Sequence, residues 1–377
     1  MTKTAGFPAI LWLVGLMLGW LAVHPVPLAA AELSIQVDVL TEKLDAPWAL
    51  AFMPDGRLLV TEKPGRLRLV RLVGLDGAIS APIGGVPEVV DLGQGGLQDV
   101  TLAPDFAASR LVYLSFAEAG VDGTSGTAVA RGRLNADMTS LEGTEVIFRQ
   151  APKVDSDKHF GSRLVFTPDG KLFVMLGERF MFQPAQDLGS DLGKVVRLNP
   201  DGSIPEDNPF AGTAGARPEV WSYGHRNIEA AAINPATGDL WIAEFGPRGG
   251  DELNRIEAGR NYGWPLVSWG NHYTGEPIAK PPTRPDLTDA VHQWTPVISP
   301  SGMIFYQGSL FPGWRGSILL GGLSARGLVR VTLDGNSFAS EDRLNLKTRG
   351  RDVAEGPDGA IYLVTDAGAL LRLSPGN

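Results

Sequence analysis

Residues 221–265 read WSYGHRNIEAAAINPATGDLWIAEFGPRGGDELNRIEAGRNYGWP. They gather an Arg-Asn pair (Arg226, Asn227), a Gly-Pro turn (Gly246, Pro247), two adjacent carboxylates (Asp251, Glu252) and an aromatic exit beginning at Tyr262. Because the carboxylates follow Gly246, Pro247, Gly249 and Gly250, they leave a loop whose backbone can fold tightly and turn its carbonyls outward. Hard cations take that mixture: calcium accepts roughly six to eight oxygens from carboxylates and main-chain carbonyls and tolerates irregular geometry. A polar turn with a solvated acidic edge satisfies the same string, and only structural context separates the two.

Elsewhere the residues able to do chemistry are sparse. The five histidines, His24, His159, His225, His272 and His292, show no zinc-type spacing, and cysteine is absent. No Gly-x-Ser-x-Gly supplies a nucleophile elbow. No Gly-x-Gly-x-x-Gly leads from a strand into a helix, which argues against a nicotinamide cofactor on a Rossmann unit. Gln94 lies in GQGGLQD, His159 in KHFGSRLVF, and Arg349 and Arg351 in TRGRDV. Taken singly, each has an ordinary structural reading: a turn glutamine, an exposed loop histidine, arginines in surface ion pairs.

GHRN, GPRGGDE and NYGWP, in this order and at this spacing, resemble the soluble aldose (glucose) dehydrogenases that use pyrroloquinoline quinone, PQQ. The resemblance runs from about Asp45 to the C-terminus through LGQGGLQDVTLAPDF, KHFGSRLVFTPDGKLF, GKVVRLNPDGSIPEDNPF and GRDVAEGPDGAIYLVTD. It implies a six-bladed propeller, bound calcium, and oxidation of an aldose sugar at C1 to the lactone, with electrons passing on to an external acceptor. By that resemblance His159 takes the proton of the C1 hydroxyl, a role that imidazole's ordinary pKa of about 6.5 permits at neutral pH. Gln94 is implied beside the catalytic pocket. Arg226, Asn227, Arg349 and Arg351 are implied at the cofactor, whose carboxylates suit the two-pronged hydrogen bonds of arginine. The carbonyls of Gly246 and Pro247 would hold the calcium that touches the quinone. Glu252 and the Tyr262 carbonyl would hold a second, structural calcium, with Asp251 close by.

Several positions depart from the family's pattern. Ile228-Glu229-Ala230 follows the Arg-Asn pair where Pro-Gln-Gly is common, so an added carboxylate is expected near an anionic cofactor. Phe245 stands where His or Gln often precedes Gly-Pro, and Lys158 precedes His159 where glucose-specific members have Asp. Ser324, in LSARG, replaces a lysine and leaves Arg326 as the expected nearby cation. These changes spare the base and the calcium loop and bear on PQQ affinity and sugar choice. Two rival readings follow: a calcium-dependent lactonase-type hydrolase on a similar propeller, and a non-catalytic ligand-binding propeller, which Ser324 and Glu229 favour.

All of these loops need a frame. An apolar residue, Pro-Asp-Gly or a relative, and an alternating strand recur at 52–60, 102–116, 166–176, 233–245 and 356–366, with a looser copy at 310–320. Pro fixes φ and Gly supplies a positive φ, so each copy predicts a hairpin. Such recurrence, in a chain with 47 Gly and 28 Pro, fits an all-β, six-bladed β-propeller with four-stranded antiparallel blades. A sandwich or barrel of many hairpins shares these local signals. Residues 33–40 (LSIQVDVL) are expected to close the ring beside the last strands, and residues 277–296, Pro-rich and polar, to form a long surface excursion between blades. The loops at one end of the channel then become the site.

The net charge of −9 and the lack of any basic run exclude a nucleic-acid backbone as partner. Residues 1–31 read as an export signal: Lys3, an apolar stretch over 9–23, and Ala29-Ala30-Ala31 as a small-residue cleavage site. That stretch is shorter than the roughly 20 residues needed to span a bilayer, so no stable membrane span is expected after signal removal. The domain at 32–377 is therefore expected to be periplasmic or secreted, without disulfides and without a covalently attached haem.

Overall fold

The recurring hairpins become the two inner strands of four-stranded antiparallel sheets, and six such sheets follow one another along the chain. The computed structural model describes residues 1–3, 6, 34–281 and 284–376; the apolar stretch and cleavage site of the expected export signal lie outside the described residues. The innermost strands are Pro47–Phe52, Leu97–Leu102, Gly161–Phe166, Ile228–Ile233, Pro300–Phe305 and Gly350–Glu355. Each packs against the innermost strands of both neighbouring sheets, the sixth against the first, so the sheets form a closed ring of blades around a channel. No helix among the described residues is long and apolar enough to cross a membrane.

Blade packing explains the composition of the second strands. Leu58–Glu62, Leu172–Leu176, Leu240–Glu244 and Ile361–Thr365 are buried at every position. Adjacent blades cover both of their faces, so these strands are nearly continuous in apolar residues instead of alternating. The core lies between blades: Trp241 and Ala243 of blade four meet Met303, Phe305 and Leu320 of blade five in one cluster. Ring closure follows the sequence expectation, since Ile35–Thr41 pairs antiparallel with Leu370–Pro375 and completes the sixth sheet.

The reading of residues 277–296 needs a correction. Their far end, His292–Trp294, is the outer strand of blade four and pairs with Asp251–Ile256. Three residues cannot display an alternation, and the strand is held instead by burying Trp294 at 2% exposure.

One irregularity recurs in every blade. Pairing of the innermost strand shifts register between Pro47 and Ala49, Leu97 and Val100, Gly161 and Leu164, Ile228 and Ala230, Ser301 and Met303, and Gly350 and Asp352. A bulge bends its strand and re-aims the extra residue. At the end of the ring opposite the Pro-Asp-Gly turns, Trp48, Arg163, Glu229 and Arg351 thereby leave regular alternation.

Candidate active site

The bulges build the wall of a cavity of about 240 Å³. Trp48, Glu229 and Arg351 line it together with Lys63, Gln94, Phe245 and Arg349. Arg351 is held on two sides, by Asp366 Oδ1 at 2.7 Å and Glu229 Oε2 at 2.9 Å. Arg349 donates to Asp366 Oδ2 at 2.6 Å. Burial works against ionisation of Asp366, yet Arg351 and Arg349 together hold its carboxyl below the ordinary range. Trp48 rests on the Arg163 guanidinium, 4.5 Å from the ring centroid, and Arg163 in turn reaches Asp99 at 2.8 Å and Asp352 at 3.2 Å. One buried cation thus ties blades two, three and six beneath the cavity wall.

His159 sits on the loop entering blade three, with φ 50. Its backbone N–H donates to Gln94 Oε1 at 2.6 Å, which fixes the loop to the cavity-lining glutamine. Its Nδ1 lies 3.0 Å from Oε1 of Glu178, a carboxylate with no solvent exposure, and its ring stands edge-on to Phe180 at 5.2 Å. With Glu178 as acceptor, Nδ1 carries the proton and Nε2 keeps its lone pair; Nε2 makes no hydrogen bond among the described residues. Burial depresses the imidazole's pKa, with Arg226 and Arg179 nearby adding to the effect and Glu178 opposing it, so the ring is a neutral base at pH 7. Arg179, Phe180 and Phe182 all have positive φ, so the loop carrying Glu178 is wound into a conformation that costs energy and clusters at functional sites.

The Gly-Pro-Arg-Gly-Gly-Asp-Glu loop divides its carboxylates. Successive residues of a strand face opposite ways. Asp251 turns to one side, where Oδ1 accepts from Gly246 N at 2.8 Å and Oδ2 from Ser299 N at 2.6 Å; burial pushes its pKa up to about 6. Glu252 turns to the other and lines a second cavity of about 10 Å³, room for one small ion or water, with Glu244, Gly246, Tyr262 and Arg226. Glu244 is saturated by His225 Nδ1 at 2.9 Å, Arg226 N at 2.6 Å and Asn254 Nδ2 at 3.2 Å. Glu252 has only a 3.4 Å contact to Asn254 Nδ2, while Asn254 Oδ1 is buried with no partner. Burial, and then Glu244 beside it, push the Glu252 pKa well above the carboxylate range.

The structure therefore brings Gln94, Arg349 and Arg351 into the larger cavity and Arg226, Gly246, Glu252 and Tyr262 into the smaller, with Phe245 lining both. Arg226 donates from Nη1 to the carbonyls of Phe245 at 3.1 Å and Gly246 at 2.9 Å. His159 lines neither cavity and reaches the larger through Gln94. Asn227 stands behind the wall: Oδ1 accepts from Gly161 N at 3.0 Å and Nδ2 donates to Glu229 Oε1 at 3.0 Å. Pro247 is buried outside both cavities, and Asp251 is apart from Glu252. Arg326 is not brought to the site. It occupies the tight turn between Ile318–Gly322 and Gly327–Asp334, with φ 57, and its exposed side chain donates to the Lys347 carbonyl at 2.6 Å. Ser324 meets Ser299 instead, Oγ to Oγ at 2.5 Å. Glu178, Trp48, Lys63 and Glu244 escape sequence reading. A Glu at or just past the end of a buried strand, as in IAEF and LGER, is the local signal that Glu244 and Glu178 share, and it is a weak one.

Residues 44–372 match the family model described as glucose/sorbosone dehydrogenase. The chain is 46% identical to an aldose sugar dehydrogenase of Escherichia coli (strain K12), over 92% of this chain and 95% of that protein. The structure of the soluble aldose sugar dehydrogenase from Escherichia coli in its apo form superposes with a TM-score of 0.87 at 45% identity, covering 91% of this chain and all of the other (100%). The PQQ-bound form of aldose sugar dehydrogenase from Streptomyces coelicolor superposes at 0.75 and 30% identity, covering 92% and 99%. On these matches, which span nearly the whole ring of blades, the chain belongs to the glucose/sorbosone dehydrogenase family.

Proposed function

We propose that the protein is a PQQ-dependent aldose sugar dehydrogenase that oxidises its substrate at C1 to the lactone, with His159 as general base and calcium assisting at the Gly246–Glu252 loop. The observation that carries this reading is the imidazole held neutral against Glu178 beside a cavity into which Arg349, Arg351 and Lys63 converge from two blades. Export directed by residues 1–31 would place the reaction outside the cytoplasm.

The residues present fit the two absent groups. The larger cavity offers cationic donors between Trp48 and Phe245, the chemistry a flat polycarboxylate requires. The smaller is lined by the under-bonded Glu252, by Glu244 and by Gly246, whose carbonyl also accepts from Arg226, an oxygen set suited to calcium, and the orphaned Asn254 Oδ1 lies two residues further along the strand of Glu252. Among the described residues no cluster of three or more His, Asp or Glu forms a metal cage, so the remaining oxygens would come from the main chain.

When bound, PQQ supplies the two-electron acceptor for the C1 hydride. Arg349 and Lys63 bind carboxylates at the cavity wall, while Trp48 and Phe245 exclude water from it. Gln94 fixes the His159 backbone, and Glu178 fixes the tautomer that leaves Nε2 basic. His159 Nε2 accepts the C1 hydroxyl proton as C1 is oxidised. An external acceptor, not specified by this chain, then takes the electrons.

Purified protein given calcium and PQQ should reduce a redox dye with members of an aldose panel and form the lactone. Lactone hydrolysis without dye reduction would establish the lactonase-type hydrolase instead. Neither activity would leave a ligand-binding propeller.

A further inference from the structure

Glu229 and Arg351 are each the bulge residue of an innermost strand, one in blade four and one in blade six. Blade five lies between them, and its bulge residue is Gly302, with φ 69, where a Cβ would lie 2.2 Å from Asp352 Oδ1. No side chain can rise there without displacing the buried aspartate, so the carboxylate of blade four spans to the guanidinium of blade six at 2.9 Å. Glu229 is 8% exposed and anchored: Asn227 Nδ2 holds its other oxygen at 3.0 Å, and Asn227 is itself fixed to the Gly161 amide. Asp366 occupies the Nε side of Arg351. Arg349, by contrast, uses only Nε, and its side chain is 49% exposed.

We propose that Glu229 sets the anion preference of the larger cavity: its carboxylate takes Nη1 of Arg351 from within while Asp366 takes Nε, so an incoming carboxylate ligand is read chiefly by Arg349 and by Lys63, whose ammonium it must draw from Asp91. A ligand that needs Arg351 must displace Glu229 and leave a buried carboxylate on Asn227 alone, or accept a like charge against it. This inference rests on the reading of that cavity as the cofactor site, and it makes Glu229 a residue that weakens polycarboxylate binding where a neutral residue would not.

The test is calorimetric titration of the calcium-supplemented protein with PQQ and, separately, with benzene-1,3,5-tricarboxylate, a probe without redox chemistry. Glu229→Gln keeps the acceptor for Asn227 and removes the charge; it should bind both probes about tenfold more tightly than the parent, the scale of one close charge pair. The gain should vanish when Arg351→Gln is added to both proteins. Glu229→Met replaces it should the Gln variant not fold. Equal or weaker binding by the charge-neutral variant, or a gain that persists without Arg351, overturns the proposal. Tighter tricarboxylate binding with no PQQ binding to either protein upholds it and sinks the cofactor reading. Failure of both probes to bind either protein sinks both.

Discussion

Glu178 grips His159 and its own loop at once: Oε1 lies 3.0 Å from His159 Nδ1, and Oε2 accepts the Met181 amide at 2.8 Å. The carboxylate therefore sets both the tautomer of the ring and the position of Nε2. Removing the ring should cost far more than loosening it. His159→Ala is expected to lower turnover at saturating PQQ by about 10²–10⁴-fold while leaving PQQ affinity nearly unchanged. Parent-like turnover in that variant would remove His159 from the mechanism.

The pH profile separates the two partners. Burial already depresses the His159 pKa, so the acid limb of kcat/KM in the parent should lie below the ordinary histidine value of about 6.5. Glu178 is the group that raises it, so Glu178→Gln should move the limb to lower pH as well as reduce kcat/KM by roughly tenfold or more. A limb that stays in place, or moves up, would show that Glu178 does not act through the ring.

Metal dependence should be concentrated in Glu252. Its charge is disfavoured by burial and by Glu244, so Glu252→Gln in chelator should melt at or above the parent. Saturating calcium should then stabilise only the parent, by about 2.7 kcal/mol at a hundredfold excess over Kd. Equal calcium-dependent shifts in melting would mean that Glu252 is not a ligand.

Asp251 gives a stability signature of known sign. Its folded pKa, about 6, lies above the unfolded value near 3.8, so its contribution is full below pH 3.8 and is lost as pH rises through 6. Urea unfolding of the calcium-free protein should therefore show the deficit of Asp251→Asn relative to the parent shrinking by on the order of 2–3 kcal/mol between pH 4 and pH 7. A deficit that is constant or grows over that window would contradict the burial of an uncharged carboxyl there.

Ring closure is testable at neighbouring positions of one strand. Leu40, 4% exposed, packs with Leu58, Val60 and Leu370, whereas Val39 is 52% exposed. Leu40→Ala should cost about 2–5 kcal/mol and Val39→Ala within about 0.5 kcal/mol. Similar losses at both positions would mean that the strand does not seal the ring as described.

Local physics reaches a long way in this chain. Pro-Asp-Gly sets the backbone of a turn by itself, and the strand after it must be apolar wherever two blades cover it, so the hairpins, their repetition and the closing strand Ile35–Thr41 could all be read from residue types. The Gly-Pro-Arg-Gly-Gly-Asp-Glu loop stands out by its residue types, whereas the loops holding Gln94, His159, Arg226 and Arg351 stand out only through the resemblance of their motifs to the dehydrogenase family. Their partners do not. The six bulges have no residue signature, because a shift of one residue in pairing is decided by how a strand bends against its neighbours. Those bulges aim Trp48, Glu229 and Arg351 at one cavity from separate blades. The same limit explains why Glu178 meets His159, why Glu229 meets Arg351 at a separation of 122 positions along the chain, and why Arg326 misses the site its place in the chain suggested. A charge finds its partner through the packing of whole sheets, a free-energy minimum of the closed ring that no single stretch of sequence contains.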